Sequence, residues 1–254
     1  TGFPEPEAVL VLIAGNNPKS MLFCREKDVE REIWDGFRHG PQMAREAFGF
    51  DETHPIAKLD ELLPQLFANQ AAVFCDIGAD ADWDRQVIGW INKVRAQIRS
   101  GVSAPVEIRD VRRFLDDMRL IKDEHEIGTM RRAAGISSQA HRRAMRAARP
   151  GAREYELEAE LIHEFRRQGA QAPAYTPIVA AGANSCVLHY VQNDAVLRDG
   201  DVVLIDAGCE LDGYAADITR TFPVSGKFSG PQRDIYELVL SAQAAAIAQV
   251  KPGN

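Results

Sequence analysis

Between Val202 and Val224 the chain reads "VVLIDAGCELDGYAADITRTFPV", two extended segments around an Asp-Gly pair, each carrying an aspartate. An Asp-Gly pair between β-branched and alternating runs is a hairpin signal. With Asp212 and Gly213 in the loop, Asp217 stands diagonally across from Asp206 on the same face; a register shifted by two sets them directly opposite. Either way both carboxylates share one face of the ribbon.

Cross-strand neighbours on one face lie about 5 Å apart at Cβ, and two carboxylates at that spacing repel unless a cation sits between them. A divalent metal resolves the conflict, and all-oxygen donors favour a hard or borderline ion such as Mn²⁺ or Mg²⁺ over zinc in a thiolate site. Two plainer readings stay open: Asp206 caps the turn beginning at Ala207, and Asp217 pairs with Arg220 on a solvated face.

The 254 residues suffice for one large domain or two modest ones, and the net charge of -7, with Lys and Arg scattered among acids, argues against a nucleic-acid partner. No run approaches the ~18 apolar residues of a membrane helix. Cys24, Cys75, Cys186 and Cys209 lie far apart without metal-knuckle spacing, so a reducing cytoplasm is the expected setting. The chain opens without methionine and ends on "QVKPGN", which leads us to expect a piece of a longer protein.

The element pattern is mixed α/β. "EAVLVLIAG" and "SMLFCRE" read as strands joined by a turn at "NNPK"; "AKLDELLPQLFAN" reads as a helix, "AAVFCDIG" as a strand, and "DWDRQVIGWINKVRAQI" as a helix with Trp83, Val87, Ile91 and Val94 inward. "SGVSAPVEI" is loop-like, and the stretch from Arg109 to Ala148 reads as one long charged helical segment; we place a domain boundary at 115/116, giving an amino-terminal domain 1–115 and a second domain 116–254. In the second, "EYELEAELIHEFRRQG" is a helix with Leu157, Leu161, Ile162 and Phe165 on one face and Gly169 at its end. Strands follow at "TPIVAAG", "VLHYV", "DVVLIDAG" and "YAADITRTFPV", then a helix near Pro231.

The strings "DAG", "DGY", "DITRTFPV", "LHY" at 188–190 and "RLIKDEHEI" at 119–127, with "TGFPEPEAVLVL" and "EIWDGFRHG" earlier, resemble the proline-specific aminopeptidase branch of the pita-bread metallopeptidases. The resemblance implies a creatinase-like amino-terminal α/β domain followed by the first half of a pita-bread domain, within an α+β architecture. It makes Asp206 and Asp217 two of five ligands of a site that holds two Mn²⁺ ions when complete. His189 becomes a catalytic histidine on the substrate side. The implied activity is metal-assisted hydrolysis that frees the first residue of a peptide whose second residue is proline, by a homodimer or homotetramer.

In that family one histidine and two glutamates complete the site, and the resemblance puts them beyond Asn254, so this chain alone is expected to be inactive. His141 and His163 read as surface or interhelix residues and Glu237 as solvated charge. Trp34 reads as core or interface in preference to pocket, and "AAGANS" as a bend without a nucleotide or serine-hydrolase motif. Two competitors remain: prolidase, acting on Xaa-Pro dipeptides, and an inactive pita-bread relative serving as a binding module, against which the retained aspartate pair counts.

Overall fold

The computed structural model describes residues 2–254. They form two compact units, divided between Leu120 and Ile121.

In the first unit, β1 (Val9–Ile13) and β2 (Lys19–Cys24) form the antiparallel hairpin expected around the Asn-Asn-Pro-Lys turn. After α1 (Val29–Asp35) and α2 (Gly40–Phe48), β3 (Glu52–Pro55) returns parallel to β2. Then come α3 (Leu59–Phe67), β4 (Ala72–Cys75), α4 (Ala81–Arg95) and β5 (Glu107–Asp110), which pairs in parallel with β4. The unit closes with α5 (Arg112–Leu120). Its core joins Phe23 to Leu63 and Phe67 of α3 and to Val87, Trp90, Ile91 and Val94 of α4. Trp90 meets the polar cost of its burial by donating from Nε1 to Asp60 Oδ1 at 2.7 Å.

The single helical segment expected from Arg109 to Ala148 is broken. Arg109 and Asp110 belong to β5, and α5 stops at Leu120. In the second unit α6 (Glu124–Ala147) restarts under a capping box between Asp123 and Glu126. Helix α7 (Glu154–Arg167) follows, then β6 (Ala172–Pro173), β7 (Ile178–Ala181), β8 (Val202–Asp206), β9 (Cys209–Leu211), β10 (Tyr214–Ala215), β11 (Thr219–Pro223) and α8 (Gly230–Ala248).

One three-stranded antiparallel sheet runs β11-β8-β7 and a second β10-β9-β6. Ala133, Ile136, Ala140 and Ala144 of α6 and Leu157, Leu161 and Phe165 of α7 bury one face of these sheets through Val179, Val203, Ile205 and Leu211. Alternation turns Ile178, Leu204 and Asp206 to the other face. The expected strand "VLHYV" is absent: after a 3₁₀ turn at Gly182–Cys186, residues 187–195 run as a loop.

Candidate metal centre

The hairpin forms with a type I′ turn, Asp212 at φ 50° and Gly213 at φ 81°. Gln171 holds it from the side, its Nε2 donating to Asp212 Oδ1 at 2.9 Å and its Oε1 accepting from the Asp212 backbone N–H at 3.0 Å. Tyr214 pairs with Leu211 and, further along, Thr219 with Asp206, which places Asp217 diagonally across from Asp206. The strand expected as one piece, "YAADITRTFPV", is divided: β10 ends at Ala215 and β11 begins at Thr219, with Asp217 between them.

The division has a local cause. A Cβ at Gly208 would fall 1.6 Å from the carbonyl oxygen of Ala216, so the two backbones approach more closely than any side chain permits. The Gly208 carbonyl also accepts from Ala174 N–H at 2.9 Å, which brings the segment before β7 against the bend.

That segment delivers Tyr175. Its hydroxyl lies 2.5 Å from Asp206 Oδ1 and 3.0 Å from Asp217 Oδ1, so one phenol oxygen touches both carboxylates. Burial, and then hydrogen bonding to the two acids, pushes the Tyr175 phenol well above its ordinary range, so it remains a proton donor. A phenol has one proton and cannot balance two negative charges. Neither carboxylate has an ion-pair partner among the described residues, and Arg220 donates instead to the carbonyl of Thr219. The Asp217–Arg220 pair is therefore not formed, nor does Asp206 cap a turn.

Two hard oxygen donors with uncompensated charge, oriented by a neutral hydroxyl, fit a divalent cation. The set is partial: among the described residues no group of three or more His, Cys, Asp or Glu side chains is placed to hold an ion.

His189 is exposed in the loop after the 3₁₀ turn and bonds to nothing among the described residues. Its neighbour Tyr190 is buried against Ile178, Ala180 and Leu204 on the Asp206 face of the sheet. His141 departs from the surface or interhelix reading: it is buried and its Nε2 meets the Ala207 carbonyl at 3.0 Å, beside Asp206. His163 is exposed, and Glu237 pairs with Arg233 on the surface of α8. Trp34 is 84% exposed and so not core. Tyr175 was invisible as a site residue in sequence, because the contacts that bring it there, Ile178 paired with Asp206 and Ala174 bonded to Gly208, join residues far apart in the chain.

The carboxylate pair thus stands at a glycine bend beside a helix-backed sheet, in a mixed α/β protein. Residues 128–254 match metallopeptidase family M24, and residues 1–74 match the aminopeptidase P N-terminal domain. The chain belongs to metallopeptidase family M24, whose members imply a divalent metal cofactor.

Over its whole length the chain is 46% identical to an Escherichia coli Xaa-Pro aminopeptidase, of which it covers 58%. It superimposes with a TM-score of 0.97 and 52% identity on Pseudomonas aeruginosa aminopeptidase PepP, covering all of this chain and 57% of that one. A zinc-substituted E. coli aminopeptidase P in complex with product matches at a TM-score of 0.96 and 45% identity, with 58% of that chain covered. The chain thus spans about half the length of the relatives it matches.

Proposed function

We propose that the protein containing this chain is a Xaa-Pro aminopeptidase, a metal-dependent hydrolase that releases the amino-terminal residue from peptides with proline second. The observation that carries the reading is the Asp206–Tyr175–Asp217 arrangement, formed in a chain this similar to Xaa-Pro aminopeptidases. Asp206 and Asp217 are metal ligands, and two Mn²⁺ ions are the cofactor when the site is complete. Divalent ions, when bound, polarise the scissile carbonyl and lower the pKa of a water. Tyr175 keeps its proton and fixes the direction of the two carboxylates; His189 donates toward the carbonyl oxygen as charge builds there.

We assign the protein to the cytoplasm on the spacing of its cysteines; no helix among the described residues is long and apolar enough to cross a membrane. A homodimer or homotetramer is supported by the apolar surface of Val29, Ile33 and Trp34 on α1 with Phe37 just beyond, all exposed.

The test is hydrolysis by the full-length protein with Mn²⁺, comparing Xaa-Pro dipeptides with longer Xaa-Pro peptides. Release of the first residue from the longer peptides, lost in Asp217→Asn together with metal binding, is the expected outcome. Turnover of dipeptides alone assigns a prolidase, and neither metal binding nor turnover assigns a binding module.

A further inference from the structure

The loop that carries His189 is fastened to one buried carboxylate. Glu154, the first residue of α7, is fully buried and has no cationic partner among the described residues. Four donors surround it. Ala181 N–H at 2.7 Å and Asn184 Nδ2 at 3.2 Å donate to Oε1, while Tyr190 OH at 2.8 Å and Ala195 N–H at 2.9 Å donate to Oε2. These donors stand at the start, the first turn, the middle and the end of the segment 181–195. Asn184 Nδ2 also reaches the Tyr190 oxygen at 3.0 Å, which closes the network.

A neutral side chain serves the same strand edge one step away. Asn193 accepts from Val179 N–H at 3.0 Å and donates to the Pro177 carbonyl at 2.8 Å and to Glu158 Oε2 at 2.9 Å. Capping the edge of β7 thus does not in itself demand an acid. Gathering four donors onto one group does, because a carboxylate has two oxygens with acceptor capacity for all four and carries no competing N–H. The cost of desolvating the charge is offset only while every donor stays in place, so the loop is held in one arrangement.

Tyr190 transmits that arrangement. Its ring is packed on Ile178, Ala180 and Leu204, on the sheet face that carries Asp206, and its hydroxyl is bound to Glu154. Burial, and then the bond to Glu154, push the phenol up to about 12, so it stays a donor. His189 precedes it in sequence and has no hydrogen bond, ion pair or ring contact of its own among the described residues.

We propose that Glu154, acting through Tyr190, is a positioning residue that sets where His189 stands on the carboxylate-bearing face. This rests on the reading that His189 meets the substrate. The experiment uses the full-length enzyme with Mn²⁺ and a peptide with proline second, and compares Tyr190→Phe, Glu154→Gln, His189→Ala and the double variant Tyr190→Phe/His189→Ala. Tyr190→Phe removes the bond to Glu154 and the one that Asn184 Nδ2 donates to the Tyr190 oxygen, and leaves the other three donors on Glu154. It is expected to lower kcat about fivefold, the size of the one bond lost to Glu154, since Asn184 Nδ2 keeps its bond to Glu154 Oε1. KM should stay within about twofold, with Mn²⁺ affinity by calorimetry unchanged. In the His189→Ala background the same change is expected to cost nothing further, because the effect travels through the missing ring.

Glu154→Gln leaves a backbone N–H facing an amide N–H whichever way the side chain turns, and is expected to lose more activity than Tyr190→Phe. If it fails to fold, Tyr190→Phe still decides. Full kcat in Tyr190→Phe, an additive loss in the double variant, or a loss matched by weaker Mn²⁺ binding overturns the proposal. A His189→Ala enzyme as active as its parent instead removes the reading of His189 itself, and the positioning role falls with it.

Discussion

At the scale of single residues, the candidate centre depends on a missing side chain and a retained proton. Gly208 lets the bend close, and alanine there must push Ala216 away from a position where its carbonyl oxygen would sit 1.6 Å from the new Cβ. Gly208→Ala is expected to cost about 3 kcal/mol in urea denaturation, at the upper end of overpacking penalties. A change within 0.5 kcal/mol, about the size of a neutral surface substitution, would show that the bend relaxes freely. Tyr175 is the other dependence. Tyr175→Phe removes the only side-chain hydrogen bonds that Asp206 and Asp217 make among the described residues. Divalent affinity of the full-length protein, measured by calorimetry, is expected to fall at least about tenfold, as when other partners of ligating side chains are lost. Unchanged affinity would mean that the metal alone sets the direction of the carboxylates.

At the scale of elements, the hairpins were legible because their turns and alternation are local, and the helices because each presents an apolar stripe. What lay hidden depends on distant partners. β5 contains Glu107 and Arg109 and is a strand only because β4 offers it a parallel neighbour, Ala72 facing Glu107. "VLHYV" alternates like a strand, yet the outer edge of β7 is already taken by Asn193 and Glu154, so it has nothing to pair with. The break before α6 did have a local signal, the Asp123 to Glu126 capping spacing, inside a stretch whose charge periodicity reads as continuous helix. Asp206 and Asp217 were legible as a same-face pair; the phenol that joins them was not. A parallel return such as β2 to β3 also needs a clasp, and Asp51 supplies it, accepting from the Ser20 N–H at 2.7 Å and Ser20 Oγ at 2.8 Å. These bonds, the backbone one first, hold the Asp51 carboxyl below its ordinary 3.8. A carboxyl depressed in the folded state contributes stability above its unfolded pKa and loses it as pH falls through the folded value. Asp51→Asn should therefore melt below the parent at neutral pH and converge with it in acid below 3.8. A constant gap in melting temperature across that range would separate the clasp from its charge.

At the scale of the whole molecule, the last helix stands out because it buries nothing. α8 is capped by Ser229 and tied by Gln232 Nε2 to the Gly200 carbonyl at 2.8 Å, and Tyr236 stacks on Phe228 at 4.8 Å between centroids. Along the rest of its length Ile235, Leu238, Val239, Leu240 and Ile247 are exposed. Ile235 and Val239 border a groove of about 710 Å³ with Val202 and Thr221 of the sheet. A continuous apolar surface of this kind is uncommon on a monomer and drives association when left open. The 254-residue polypeptide studied alone is accordingly expected to bind a hydrophobic dye and to associate with rising concentration in sedimentation runs. Val239→Lys places a charge at the groove without disturbing any buried contact, so it should weaken both signals while the circular dichroism stays that of the parent. A parent chain that sediments as a monomer at all concentrations and leaves the dye dark would mean that α8 folds down onto its own groove in solution, and the hydrogen exchange of residues 235–247 would then be slow where an open helix exchanges fast.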